Sequence, residues 1–327
     1  MYGLGSIGGH LAARLAGAGA DVSAVARGQT LEAVQRHGLR IAAGPDSDEH
    51  RSFRVPVSDD ARDFSDADCV IVSVKATALP SIARSLTEMI GPGTTVLTAM
   101  NGVPWWFFHG LDTDVDASRL ESIDPKGHLS AAVPATQVVG GVVHLSASVV
   151  APGVFRHTAG QRLIIGAPGG NRLKASTIEV LRQDLSRSGF DIEVSDRIQT
   201  DVWYKLWGNM SLNPVAALTG ATTDRILSDP LLRKFVSRCM LEASEVGSRL
   251  GLPIQQKPED RLRLTQKLGA VRPSMLQDVD AGRYIELDAL VGAVAEIGRE
   301  LGVSTPNVDT LMGLARVHGK QHGLYPA

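Results

Sequence analysis

Cysteine is nearly absent from this chain of 327 residues, which holds only Cys69 and Cys239. That scarcity leaves no disulfide framework and no thiolate metal centre, so no metal site is expected, and a reduced cytoplasm is the default location. Cys69 falls in an apolar strand-like run and Cys239 in a helical one, so both read as small buried hydrophobes. An excess of one charge is missing too. The formal net charge is −2, which gives no electrostatic case for nucleic acid or a membrane surface. No apolar run is long enough to span a bilayer, and no basic start followed by an apolar middle marks a signal peptide. Internal repeats and low-complexity segments are also lacking. What remains has the length for two domains, each with a full core.

The chain opens on a glycine turn, Gly3-Leu4-Gly5-Ser6-Ile7-Gly8. The spacing Gly-x-Gly-x-x-Gly followed by a helix suits a dinucleotide. The glycines give a tight turn, close approach of a pyrophosphate, and close helix–strand packing. The helix N-terminus then offers oriented N–H groups to the phosphates. Gly3, Leu4, Gly5, Ser6, Ile7 and Gly8 are therefore cofactor-binding candidates. A next strand is expected over 21–26, and Arg27 stands at its end. An acidic residue there would hydrogen-bond a ribose 2′-hydroxyl, whereas an arginine pairs with a 2′-phosphate. Arg27 thus favours NADP(H), against the alternative of a solvated loop charge. One part of the pattern is short. A buried strand of roughly five or six residues should precede such a turn, but only Met1 and Tyr2 do. The expectation is a natural start upstream and a truncated or mis-started first strand.

Further along, 67–74 is a continuous apolar run of the kind buried on both faces of a parallel sheet. Lys75 ends it, where ligands of such sheets bind; cofactor contact and plain surface lysine weigh evenly. A strand over 94–98 delivers Asn101-Gly102 to the same edge. Asn-Gly is first a turn signal, but the Asn101 amide could also hold a substrate oxygen or the cofactor's carboxamide. Trp105, Trp106, Phe107 and Phe108 follow, as core, as a wall beside a nicotinamide, or as a partner-facing patch. Residues 110–134 read as polar surface loops, and 138–145, 153–158, 163–165 and 191–194 as strands. From about Asp196 nearly everything reads helical. The partition expected is a Rossmann-type, doubly wound α/β domain over 1–195 and an all-helical domain over 196–327.

Inside the helical half, Lys205, Asn209 and Asn213 recur every four residues. On a helix that spacing puts an ammonium and two carboxamides in one row. Around the row stand Val202, Leu206, Met210, Leu212 and three large aromatics, Trp203, Tyr204 and Trp207, which argue for burial rather than a wet surface face. Pro214 should kink or end the helix just past the last amide. Ser274 opens the segment Ser274-Met275-Leu276-Gln277-Asp278. Glu286, on a helix expected over 285–301, is either a carboxylate facing a cleft or an ordinary exposed glutamate.

Taken in order, the glycine turn, Arg27, Val74-Lys75-Ala76, Asn101-Gly102, Lys205-x-x-x-Asn209-x-x-x-Asn213-Pro214, Ser274 to Asp278 and Glu286 resemble the ketopantoate reductase (2-dehydropantoate 2-reductase) family across nearly the whole chain. The resemblance implies NADPH-dependent reduction of a 2-oxo acid in a cleft between a Rossmann domain and a helical domain, serving pantothenate and coenzyme A biosynthesis. It implies Lys205 as proton donor, Asn209, Asn213 and Ser274 as substrate contacts, Glu286 as a catalytic or substrate contact, and Lys75 and Asn101 as lining residues. A lysine donor can work at neutral pH without a shifted pKa. One departure is 218–223, where some members have an asparagine and this chain has none. The partner expected is a small 2-oxo acid, with no nucleic acid and no membrane; a homodimer stays open. Rival readings are a related dehydrogenase acting on an imine or another 2-oxo acid, and a non-catalytic NADPH-binding protein.

Overall fold

The computed structural model describes residues 1–44, 49–170 and 174–326. The chain divides into two compact units. The first comprises Met1–Met100 and His128–Ile198, and the second Asn101–Gly127 and Gln199–Ala327. The first unit takes its helices and strands in the order α1 (Ser6–Gly17), β1 (Ala24–Val25), α2 (Gly28–His37), β2 (Leu39–Ala42), β3 (His50–Phe53), β4 (Val57–Ser58), β5 (Cys69–Val72), α3 (Leu79–Met89), β6 (Thr95–Ala99), α4 (His128–Ala132), β7 (Val138–Ala151), β8 (Val154–Gly166), α5 (Ala175–Arg187) and β9 (Asp191–Val194). The second holds α6 (Ile198–Thr219), α7 (Thr223–Ser228), α8 (Pro230–Arg249), α9 (Pro258–Gln266), α10 (Ser274–Asp280), a π-helical turn (Asp288–Gly292), α11 (Ala293–Glu300) and α12 (Pro306–Gln321).

The sheet of the first unit is mixed. Its order is β3-β2-β8-β7-β6-β5, with β9 also on β8, and β1 and β4 form a separate parallel pair. β5, β6 and β7 run parallel, while β7 and β8 form a long antiparallel hairpin. Tyr2 joins the two sheets by parallel bridges to Val25 and Val72. Its N–H donates to Ile71 (2.8 Å), and its carbonyl accepts from Ser73 N–H (3.1 Å).

Successive side chains of these strands point to opposite faces of the sheet. Ile71, Leu97 and Val139 join one core with Leu11, Ala12 and Leu15 of α1 and Ile178, Leu181 and Leu185 of α5. Their neighbours Val70, Val72, Val96 and Val138 are fully buried as well. Strands apolar on both faces are what a sheet covered on both sides requires, so the expected α/β architecture stands, as a mixed sheet. Two strands expected over 153–158 and 163–165 are one continuous strand, β8, whose pairing with β7 absorbs register shifts at His144/Ser146 and Ser146/Ala147.

The second unit is all helical among its described residues. Its boundary differs from the expected partition, because 101–127, read as part of the first domain, clusters with the helices. The cause lies in its side chains. Trp105, Trp106 and Phe107 are buried, and the Phe107 ring packs 5.9 Å from that of Trp203 on α6. The aromatic run is therefore core. Trp203 and Trp207 dock α6 on α8 by indole N–H bonds to the carbonyls of Ala243 (3.2 Å) and Met240 (2.8 Å). No described helix is long and apolar enough to cross a membrane.

Two helix expectations need correction. Of the two outcomes expected at Pro214, a kink or an end, the end does not occur, and α6 runs on to Thr219. The proline forfeits one backbone bond, but Val215, Ala216 and Ala217 beyond it are buried, and packing of that apolar turn outweighs local propensity. The helix expected from 285 starts only at Leu287 and passes at once through the π-helical turn, leaving Glu286 on the approach to the helix rather than in it.

Candidate active site

The glycine turn shows why each glycine is there. Gly3 has φ +94°, and a Cβ on it would stand 2.7 Å from the Val74 side chain. A Cβ on Gly8 would fall 2.0 Å from Ser73 Oγ and 2.1 Å from the Gly3 carbonyl oxygen. That closeness is how α1 packs against the loop after β5. Gly5 differs: a Cβ there would meet nothing within 4 Å. Packing within the protein does not demand a glycine at that position, whereas close approach of a ligand's pyrophosphate does. Gly5 is also the N-cap of α1 and provides no side-chain cap, and the first turn holds no acidic residue. The N–H groups of Ser6, Ile7 and Gly8 thus lack a side-chain acceptor from the cap, which suits phosphate. The turn fits a dinucleotide.

Arg27 follows β1 in extended conformation (φ −134°, ψ 160°), exposed, as the N-cap of α2. Lys75 stands half-buried just past β5 and caps a short 3-10 turn, Ala76–Ala78. Both belong to the first unit.

The remaining candidates belong to the second unit. The row on α6 is present: Asn213 is buried, and Lys205 and Asn209 are half-buried. Trp203, Leu206, Trp207 and Met210 are buried beside them, so the polar row is set in apolar surroundings. A lysine needs no shift to be protonated at neutral pH, but the site gives Lys205 one. Burial pushes the Lys205 ammonium down from 10.5 to about 8, against an upward pull from the Glu286 carboxylate. Glu286 is itself only 5% exposed, which settles its reading against an exposed helix residue. The nearby carboxylate favours the charged form of Lys205 against its burial.

Asn101 joins this group through the backbone. Val103 N–H donates to the Ala289 carbonyl in the π-helical turn (3.0 Å). Gly102 (φ +84°) makes the approach feasible, since a Cβ there would stand 2.6 Å from that same oxygen. The segment carrying Asn101 is therefore fastened three positions past Glu286. Ser274 is the first residue of α10 and half-buried. Three residues after α10, Arg283 donates to the buried Asp278 carboxylate (3.0 Å), and its N–H donates to the Asp278 carbonyl (2.9 Å). That double tie sets the short link from Ser274's helix to Glu286.

Sequence reading missed Asp288 and Tyr325. The Tyr325 hydroxyl donates to Asp288 Oδ1 (2.6 Å) two residues past Glu286. A π-helical turn, often found at functional sites, has no simple spacing signature, and a tyrosine near the chain's last residues carries none at all.

Two family models cover the chain. One, described as ketopantoate reductase PanE/ApbA, matches residues 1–170, and its C-terminal counterpart matches residues 197–319. A 2-dehydropantoate 2-reductase of Mesorhizobium japonicum is 38% identical over 326 residues, covering 99% of this chain and 98% of that protein. A crystal structure from Ralstonia solanacearum MolK2, provisionally named a ketopantoate reductase, superposes with a TM-score of 0.93 at 46% identity, over 99% of this chain and 98% of the other. D-mandelate dehydrogenase, solved with NADH and anilino(oxo)acetate, shares the fold with a TM-score of 0.83 at 19% identity, over 99% of this chain and 100% of the other.

Proposed function

We propose, from the premise that this chain belongs to the ketopantoate reductase family, that it reduces 2-dehydropantoate to pantoate with NADPH. Membership makes it an oxidoreductase. The observation that carries the finer reading is half-buried Lys205 in the field of buried Glu286, with the ammonium lowered to about 8. A nicotinamide cofactor, its pyrophosphate held at the glycine turn, would supply hydride to the ketone carbon when bound. Negative charge then grows on the ketone oxygen, and Lys205 neutralises it by giving a proton from Nζ. A donor near pH 8 is about nine-tenths protonated at pH 7, yet gives up its proton more readily than an ordinary lysine. An arginine would keep its charge and be a poor donor.

Asn209 and Asn213 bind carboxylate or hydroxyl oxygens without adding charge, Ser274 does likewise, and Asn101 holds a substrate or carboxamide oxygen. Glu286 accepts a hydrogen bond from the substrate's hydroxyl, which favours hydroxylated oxo acids. Arg27 pairs with the 2′-phosphate of NADP(H), and Lys75 with a ribose or phosphate. The reading assigns the enzyme to the cytoplasm and to pantothenate and coenzyme A biosynthesis. The test is NADPH and NADH oxidation against a panel of 2-oxo acids and imines. Preference for NADPH and 2-dehydropantoate is expected. A preference for an imine or another oxo acid, or no oxidation at all, overturns it.

A further inference from the structure

We infer that the C-terminal segment is a strap that positions Glu286, with Tyr325 as its positioning residue. Glu286 needs such a device, because it precedes the helix instead of belonging to it. Its carbonyl accepts from Leu290 N–H at 3.3 Å, and no helical turn precedes it.

The strap grips on both sides of Glu286. Before it, Ile285 N–H donates to the Leu324 carbonyl (3.0 Å), and Leu324 N–H is anchored on the Gly319 carbonyl of α12 (2.7 Å). After it, the Tyr325 hydroxyl holds the Asp288 carboxylate (2.6 Å). Gly319 lets the pieces close. A Cβ on it would stand 2.8 Å from Tyr325 Cβ and 3.4 Å from Ile285 Cδ1. Burial raises the Asp288 carboxyl, while the Tyr325 bond and the Arg316 guanidinium of α12 oppose the rise. The Tyr325 phenol is held above its usual range by burial and Asp288, with Arg316 opposing and Glu296 of α11 adding. Asp288, Tyr325, Arg316, Glu296 and Ser122 also line a cavity of about 510 Å³. Water from that cavity can reach Asp288 when the phenol hydroxyl is removed, so Tyr325→Phe should fold.

The consequence for substrate rests on the proposed reaction. Loosening the strap should cost the contact with the substrate hydroxyl and spare the rest. The experiment uses Tyr325→Phe, Asp288→Ala, Asp288→Asn and Gly319→Ala in the full chain. It measures hydrogen exchange over 285–292, NADPH affinity, and kcat/KM for 2-dehydropantoate and for 3,3-dimethyl-2-oxobutanoate, which lacks the hydroxyl. Tyr325→Phe, Asp288→Ala and Gly319→Ala should exchange faster over 285–292. Each should lose about tenfold with the hydroxylated acid and less than about twofold with the other, the scale of one hydrogen bond. NADPH affinity should not move. Asp288→Asn keeps an acceptor oxygen and should behave as wild type. In a Glu286→Gln background Tyr325→Phe should add nothing further. Gly319→Ala separates the strap from general stability, since alanine favours the helix itself. Unchanged exchange over 285–292, an unchanged selectivity ratio, or additive losses with Glu286→Gln overturns the strap. If the wild type reduces no oxo acid the proposed reaction fails, and the exchange data alone then decide the strap.

Discussion

Glu286→Gln should move the basic limb of the pH profile downward. Two opposed effects set Lys205 at about 8: burial lowers it and the Glu286 carboxylate raises it. Glutamine keeps the size and a hydrogen-bonding oxygen but removes the charge. An opposite charge at close range shifts a neighbouring pKa by about one unit or more, so the ammonium should fall to about 7. Reduction requires the protonated amine, so activity is lost as pH rises through this value. At pH 7.5 the protonated fraction would drop from about three-quarters to about one-quarter. The assay is kcat/KM for NADPH-dependent reduction from pH 6 to 10, with competitive amine labelling of Lys205 as a second readout that needs no substrate. Loss of a substrate contact scales the whole curve; only loss of the charge moves its midpoint. A midpoint that stays put or rises in the glutamine variant would refute the coupling of these two side chains.

Lys205→Ala should cut turnover by orders of magnitude while leaving NADPH affinity intact; near-normal turnover in that variant removes Lys205 from the mechanism. Arg27→Ala should weaken NADPH about ten- to a hundredfold, the scale of a charge-assisted contact, and leave NADH unchanged; equal loss for both cofactors would assign Arg27 elsewhere. His10 makes the first unit acid-labile. Burial, with His157 and Arg14 nearby, lowers it from 6.5 to about 4, and its ring stacks on His157 at 5.2 Å. The unfolded chain therefore takes up the proton first, so this stability is complete above about pH 6.5 and is lost as pH falls toward 4. The loss is about 3 kcal/mol. His10→Phe should flatten that slope in denaturant titrations at pH 7 and pH 4, and an unchanged slope counts against the assignment.

Much of this architecture was legible because it rests on short-range rules. The apolar run 67–74 became β5, since a strand buried on both faces needs little context to declare itself; 191–194 became β9, a largely exposed strand paired with β8. The row Lys205, Asn209 and Asn213 was legible for the same reason: a four-residue spacing on one continuous helix fixes a common face. The segment 101–127 was not, because its allegiance is tertiary. Nothing local in Trp105 to Phe107 says which of two cores will accept them, and the contact with Trp203 that decides it spans about a hundred positions of chain.

Glu286 marks where pattern reading stops for a physical reason. Its neighbours Ile285 and Leu287 are both buried and open a long apolar, alanine-rich stretch, so a regular helix from 285 was the natural expectation. What breaks the helix there is a set of demands from elsewhere. Val103 takes the Ala289 carbonyl that a regular helix would offer to Ala293, whose N–H bonds the Asp288 carbonyl instead, while Leu324 and Tyr325 hold Ile285 and the Asp288 side chain on either side. Each is worth about 1 kcal/mol net. Competition at that scale cannot be read from residues 285–292 alone. It also means that the carboxylate facing Lys205 is set by side chains distant in sequence. Substitutions at Tyr325 or Gly319 should therefore alter the choice of substrate before they alter the fold.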